Sequence, residues 1–175
     1  MGLLALERQV KRDYHGLEPA DHAIITRDQR DFLERLGSFK APYLEEKLMS
    51  EGKFDSHEQY HEAFNEFKKY VALYAITNQP LKMSSKAVDS IWHQFILFTP
   101  HYREFCNEML GNYMDHIPTT SFNPSVEGSG EMFSQAYQKI FGEVPRIWDS
   151  KKGVFDKGAS EECVAGGGCM CGCNP

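Results

Sequence analysis

Asp89, His93, Cys106 and His116 fall within one run, VDSIWHQFILFTPHYREFCNEMLGNYMDH, otherwise rich in aromatic and aliphatic side chains. Asp89 and His93 are four residues apart, so on a helix they share one face. A carboxylate there accepts from one imidazole nitrogen and fixes the tautomer, leaving the other nitrogen for a metal or substrate. Alternatively both side chains ligate. Cys106 belongs to the following helix, and His116 comes after Gly111, where the chain can fold back. Asp, His, Cys and His together suit zinc or iron. The same residues also read without an ion. A helix-borne Asp–His hydrogen bond satisfies two polar groups, and a lone Cys is a small buried hydrophobe. His101, beside Pro100, reads as surface.

A second constellation sits at the end. CVAGGGCMCGC places Cys163, Cys169, Cys171 and Cys173 close together, three of them as C-x-C-x-C. Glycines let a backbone wrap closely around an ion, and thiolates favour zinc, Cu(I) or iron–sulfur centres. The C-x-C spacing is closer to that of metallothioneins than to the C-x-x-C knuckles of zinc fingers. A four-thiolate site within the tail alone is cramped, and Cys106 or His116 would complete it if the tail folds back. The competing reading is a disordered glycine-rich terminus.

His57-Glu58-Gln59-Tyr60-His61 matches H-E-x-x-H, in which two histidines one turn apart bind zinc and the glutamate activates water. Its flanks argue for a solvated first helical turn instead. Asp55 and Glu62 are charged, His57 opens the helix, and no acidic residue between Glu66 and Asp89 offers a third ligand. An acidic group near a helix N-terminus is favourable in its own right.

The elements that must carry these residues read as helices. Leu3, Leu6 and Val10 mark a short one over 3–13. Thr26 with Gln29 is a capping box, followed by Phe32, Leu33 and Leu36, with Gly37 as the expected stop. Pro42 opens a helix carrying Leu44 and Leu48, ended by Gly52. Ser56 and Gln59 form a second capping box for a long helix to Thr77. Its apolar stripe is Tyr60, Phe64, Phe67, Val71 and Tyr74, with Glu62, Glu66 and Lys69 opposite. Pro80 forces the end. A helix from Ser84 or Ser85 carries Val88, Ile91, Trp92, Phe95 and Phe98, with Ile96 and Leu97 extending its apolar surface, so it belongs in the middle of a bundle. Thr99-Pro100 starts the next, to about 110, with Thr99 as cap and Phe105, Met109 and Leu110 inward. The Thr119–Gly130 stretch is a loop, and a last helix covers 130–141. Trp148 is expected to dock on the body. No stretch alternates at period two. The expectation is all-α: a single compact bundle of about five to six helices over 1–149, a linker over 150–162, and a flexible Gly/Cys-rich tail over 163–175.

The whole-chain numbers bound the function. A length of 175 residues with 41% hydrophobic content suits one domain with a real core. The net charge of −6 and the lack of a basic patch argue against nucleic-acid partners. The apolar runs FILF and VALYAI are too short to span a bilayer. The start, MGLLALERQVKRD, lacks a cleavage site, and Leu6 stands where myristoylation wants Ser or Thr. Cysteines gathered at one end suit thiol chemistry rather than a secreted disulfide scaffold, so a cytoplasmic protein is expected.

The spaced pattern Val88-Asp89, Trp92-His93, Ile96-Leu97, Thr99, Tyr102, Phe105-Cys106, Gly111, His116 and Pro118 resembles the core signature of the glycine-rich domain-containing protein-like family. FGEVPRIW, through Trp148, is similar to its bacterial members. The resemblance covers about residues 60–148. It implies a helical domain and, for plant members, developmental and stress roles, with no settled chemistry. Where many relatives carry a second His two residues after His93, this chain has Phe95. The resulting expectation is transition-metal binding, by Zn or by Fe or Cu, through Asp89, His93, Cys106 and His116, through the tail cysteines, or through both, with no nucleotide cofactor. Two alternatives stand beside it: a module for an unknown protein partner, with a structural Asp–His pair and a modifiable tail, and a metal-dependent enzyme.

Overall fold

The computed structural model describes residues 13–149 and the backbone of 163–165. Among the described residues there are six α-helices: α1 (Arg27–Ser38), α2 (Pro42–Ser50), α3 (His57–Thr77), α4 (Lys86–Leu97), α5 (Thr99–Leu110) and α6 (Ser129–Phe141). The all-α expectation holds. The helix expected over 3–13 and the linker over 150–162 lie outside the described residues. Among the described residues no helix is long and apolar enough to cross a membrane.

The starts are written in short polar side chains. Thr26 Oγ1 accepts from the Gln29 amide at 3.2 Å, and Gln29 Oε1 accepts from the Thr26 amide at 2.8 Å, a complete capping box. Ser56 caps α3 in the same way, but Gln59 reaches back to the amide of Asp55 instead. Ser85 caps α4. At α5 the cap position is Phe98, without a side-chain bond, and Thr99 is already helical. Gly111 ends α5 at φ +72°, a left-handed turn that a glycine makes without strain.

Two expectations about α1 and α3 are corrected by packing. Gly37 does not stop α1; it is buried inside it, and a Cβ there would lie 2.1 Å from the Tyr14 carbonyl oxygen. It is a glycine of close approach, where the segment before α1 crosses the helix. Helix α3 packs against α1, α2, α4 and α6 and is buried on most sides from Tyr60 to Tyr74, and α4, expected in the middle of the bundle, packs against α2, α3 and α5. Glu66, expected to face solvent, is buried. Its carboxylate accepts from Trp148 Nε1 at 2.6 Å, Tyr137 Oη at 2.8 Å and Lys69 Nζ at 2.8 Å. Three donors satisfy a buried carboxylate and fasten α6 and the 3-10 turn Arg146–Trp148 to α3. Trp148 docks as expected. On α4, Leu97 is exposed, so the apolar surface there is narrower than its sequence implied.

A small sheet was not expected. β1 (Lys82–Met83), β2 (His116–Pro118) and β3 (Cys163–Ala165) form it in the order β1-β3-β2, with β3 antiparallel to both neighbours. Strands of two and three residues are too short to display a period of two, which is why no alternation marks them. The start of the Gly/Cys segment is therefore part of a strand.

Candidate metal centre

Helix α4 supplies the first two groups. Ser85 sets the helical register at its N-terminus, and Val88, Ile91, Trp92 and Phe95 turn inward, fully buried. That places Asp89 at the edge of the buried stripe, 3% exposed, and His93 one turn on, with half of its side chain in solvent.

The third group arrives by a relay of hydrogen bonds. Trp92 Nε1 donates to the Tyr102 hydroxyl at 2.8 Å, and that hydroxyl donates in turn to the Met114 carbonyl. The relay joins α4, α5 and the segment after Gly111, and so fixes where the chain enters β2. His116, the first residue of β2, lies with its ring edge-on to Trp92, 4.4 Å between centroids. Its Nε2 is 3.1 Å from Asp89 Oδ1, while His93 Nδ1 is 3.3 Å from Asp89 Oδ2. The two imidazoles approach to 4.3 Å between centroids. One ligand atom from each of Asp89, His93 and His116 lies within 4.8 Å of the other two.

The surroundings of His93 favour its neutral form. Burial lowers its pKa, and the neighbouring His116 acts in the same direction, against the raising effect of Asp89. A neutral imidazole keeps a lone pair for an ion, and a carboxylate between two imidazoles holds both in place. Two histidines and one carboxylate leave coordination positions for other ligands, as in catalytic zinc and non-haem iron sites.

Cys106 is not brought to this trio. It is fully buried on α5, its thiol against the Tyr102 hydroxyl and the Met114 backbone, and burial raises its pKa, which disfavours a thiolate. It belongs to the layer that positions His116. Cys163 stands in β3, with its Cα opposite Met83 on one side and Pro118 on the other. Cys169, Cys171 and Cys173 lie outside the described residues. Phe95, at the position of the second histidine in many relatives, is a core residue stacked among Phe39, Phe105 and Tyr102.

The H-E-x-x-H residues form a different arrangement. His57 and His61 are exposed, and both turn to Glu45 of α2, at 2.7 and 3.3 Å from its Oε1. An acidic partner does reach the pair, from upstream in the chain. Glu58 is exposed, its pKa lowered by hydrogen bonds to its own amide and to Ser56, as expected of an acidic first turn. A shallow cavity of about 270 Å³, lined by Phe32, Ile76, Met109 and Leu110 among others, opens elsewhere, between α1, α3 and α5.

Sequence reasoning missed two buried ionic groups on α3. One is Glu66. The other is Lys68, 4% exposed, which donates to the Gly37 carbonyl at 2.9 Å and whose pKa burial lowers to about 8. Their signal was faint: Glu-Phe-Lys-Lys in an otherwise apolar run reads as a solvated face.

Neither the curated proteins nor the solved structures contain a match to this sequence. A family model does match, that of the UCP032817-like proteins, over residues 29–140. The matched span runs from α1 into α6 and holds Asp89, His93 and His116, together with the Trp92–Tyr102–Met114 relay that positions them. On the strength of that span, the chain belongs to the UCP032817-like family.

Proposed function

We propose that this protein binds a transition-metal ion at Asp89, His93 and His116. The observation that carries the reading is the convergence of the three groups from two elements, 27 residues apart in the chain, at the hydrophobic edge of the bundle. Nitrogen and oxygen donors of this kind favour zinc or iron(II) over Cu(I), since Cu(I) prefers thiolates. The half-exposed His93 leaves a route from solvent, which an exchangeable ligand or a substrate would need. The Val88–Pro118 pattern supports kinship with the glycine-rich domain-containing protein-like proteins, and the clustering of cysteines at one end supports a cytoplasmic setting.

A second reading has its own support. Asp89 is already hydrogen-bonded to the His116 ring and faces the His93 ring at 3.3 Å, so a partnered buried carboxylate is available without an ion. The protein is then a module for a protein partner, with the trio as part of its core. Elemental analysis of the full chain, purified without an affinity-metal step, separates the two. The metal reading expects about one equivalent of metal per chain, lost in both His93→Ala and His116→Ala. Folded protein that neither retains nor takes up zinc or iron(II) rejects it and leaves the module.

A further inference from the structure

The H-E-x-x-H residues gain from another helix what their own flanks lack. The Ser56 hydroxyl accepts from the Gln59 amide and fixes the first turn of α3, so His57 is helical and shares a face with His61. Two imidazoles one turn apart supply two of the three protein ligands of an open zinc site. The third group is Glu45, because α2 packs against α3. Its Oε1 lies 2.7 Å from His57 Nδ1 and 3.3 Å from His61 Nε2, so one carboxylate oxygen faces both rings. The histidine side chains are 69% and 58% exposed and can turn toward a common ion without disturbing the core. Glu45, at 25%, is the anchored member.

A buried group points to the same place. The Tyr60 ring lies edge-on to His61, with 5.4 Å between centroids. Its hydroxyl is buried and has no hydrogen-bond partner among the described residues. Burial, and after it the field of the Glu45 carboxylate, raises its pKa, so it remains a donor. An orphaned buried donor beside a set of ligand groups is explained by a bound water or ion that completes its hydrogen bonding. Glu58 supplies the contrast. In a zinc hydrolase the glutamate of this motif activates water, but here its carboxylate bonds back to its own amide and to Ser56. The pair is left with a ligand role and without a hydrolytic one.

We propose that His57, His61 and Glu45 form a second zinc site, exchangeable and non-hydrolytic, which clamps α2 to α3. It is independent of the reading of Asp89, His93 and His116, which stand on α4 and β2. Zinc binds the two neutral imidazoles and the carboxylate; any proton displaced from a ring passes to solvent, and no electrons are exchanged. Because two of its ligands are exposed, this ion is expected to leave during purification and to return with added zinc.

Zinc titration of the full chain, followed on the imidazole ring signals by nitrogen-edited NMR, tests this, since each histidine reports separately. His57 and His61 are expected to shift together and to saturate with one equivalent beyond any taken by the trio. Glu45→Gln is expected to weaken that response by at least about 10-fold, the lower end of what losing a residue that merely supports a ligand costs. Glu58→Gln is expected to leave it unchanged. Signals of His57 and His61 that stay still under excess zinc overturn the site, as does a response confined to one of the two. A response that Glu45→Gln leaves untouched, or that Glu58→Gln abolishes, overturns the ligand assignment. The signals of His93 and His116 report the trio in the same titration, so the failure of either reading is seen apart from the other.

Discussion

Gly37→Ala is expected to destabilise the fold, although alanine is the better helix former. The new Cβ would meet the Tyr14 carbonyl oxygen at 2.1 Å and the carbonyl carbon at 2.9 Å, both backbone atoms. Real Cβ contacts stay beyond 3.0 Å, so α1 and the Tyr14 segment must part by about 0.9 Å. That movement strains two further bonds. Tyr14 O accepts from the buried Leu17 amide at 3.0 Å, and Gly37 O accepts from Lys68 Nζ at 2.9 Å. Overpacking costs about 1–3 kcal/mol and each weakened hydrogen bond about 1 kcal/mol, against a helix-propensity gain of up to about 1 kcal/mol. The net expectation is a loss of about 2–4 kcal/mol. Gly130→Ala is the matched control. It too is helical, and its nearest neighbour would be Lys82 Cδ at 3.7 Å, an ordinary contact, so it is expected to gain a few tenths to about 1 kcal/mol. Urea unfolding followed by tryptophan fluorescence reads both as midpoint shifts at constant slope. A Gly37→Ala protein as stable as Gly130→Ala refutes the close-approach account.

Three further outcomes are expected. Asp89→Asn lowers zinc affinity by about 100-fold or more, measured by competition with a chelator, because a charged ligand shared by both imidazoles is lost; equal affinity removes Asp89 from the site. Glu66→Leu costs about 3–5 kcal/mol in urea unfolding, since Trp148, Tyr137 and Lys69 lose their common acceptor; a neutral result shows that water replaces it. Lys68 gives a pH signature. Its pKa of about 8 lies below the ordinary 10.5, so the unfolded chain holds more protons between these values and stability rises with pH there. The rise from pH 7 to 9.5 is about 2 kcal/mol and is absent in Lys68→Met, a comparison made by unfolding at each pH.

What could be read without coordinates tracked the range of the interactions. The caps Thr26, Ser56 and Ser85 act within three residues, and all three helices start where they stand. Asp89 and His93 were legible for the same reason, being one helical turn apart. His116 was a weaker inference, because its place depends on the Tyr102–Met114 bond that redirects the chain after α5. Cys106 carried the right chemistry, but its orientation on α5 is set by tertiary packing. Glu66 read as solvated because its partners Tyr137 and Trp148 are 71 and 82 residues away. Gly37 read as a stop because nothing local distinguishes a glycine that ends a helix from one that another segment must cross.

The strand order β1-β3-β2 has a consequence for the order of assembly. The middle strand is the last of the three to be synthesised, coming after β2 only once α6 and the Arg146–Trp148 turn have been made. Until then β1 and β2 stand as facing edges with a gap one strand wide, about 9–10 Å between them. Every described helix precedes Cys163 in the chain and has been synthesised by that time. His116 is therefore synthesised before its strand partner, and the sheet can close only once the segment bearing Cys163 has arrived. A nascent chain stalled before Cys163 offers two unpaired edges to other proteins, and the finished chain offers none between β1 and β2.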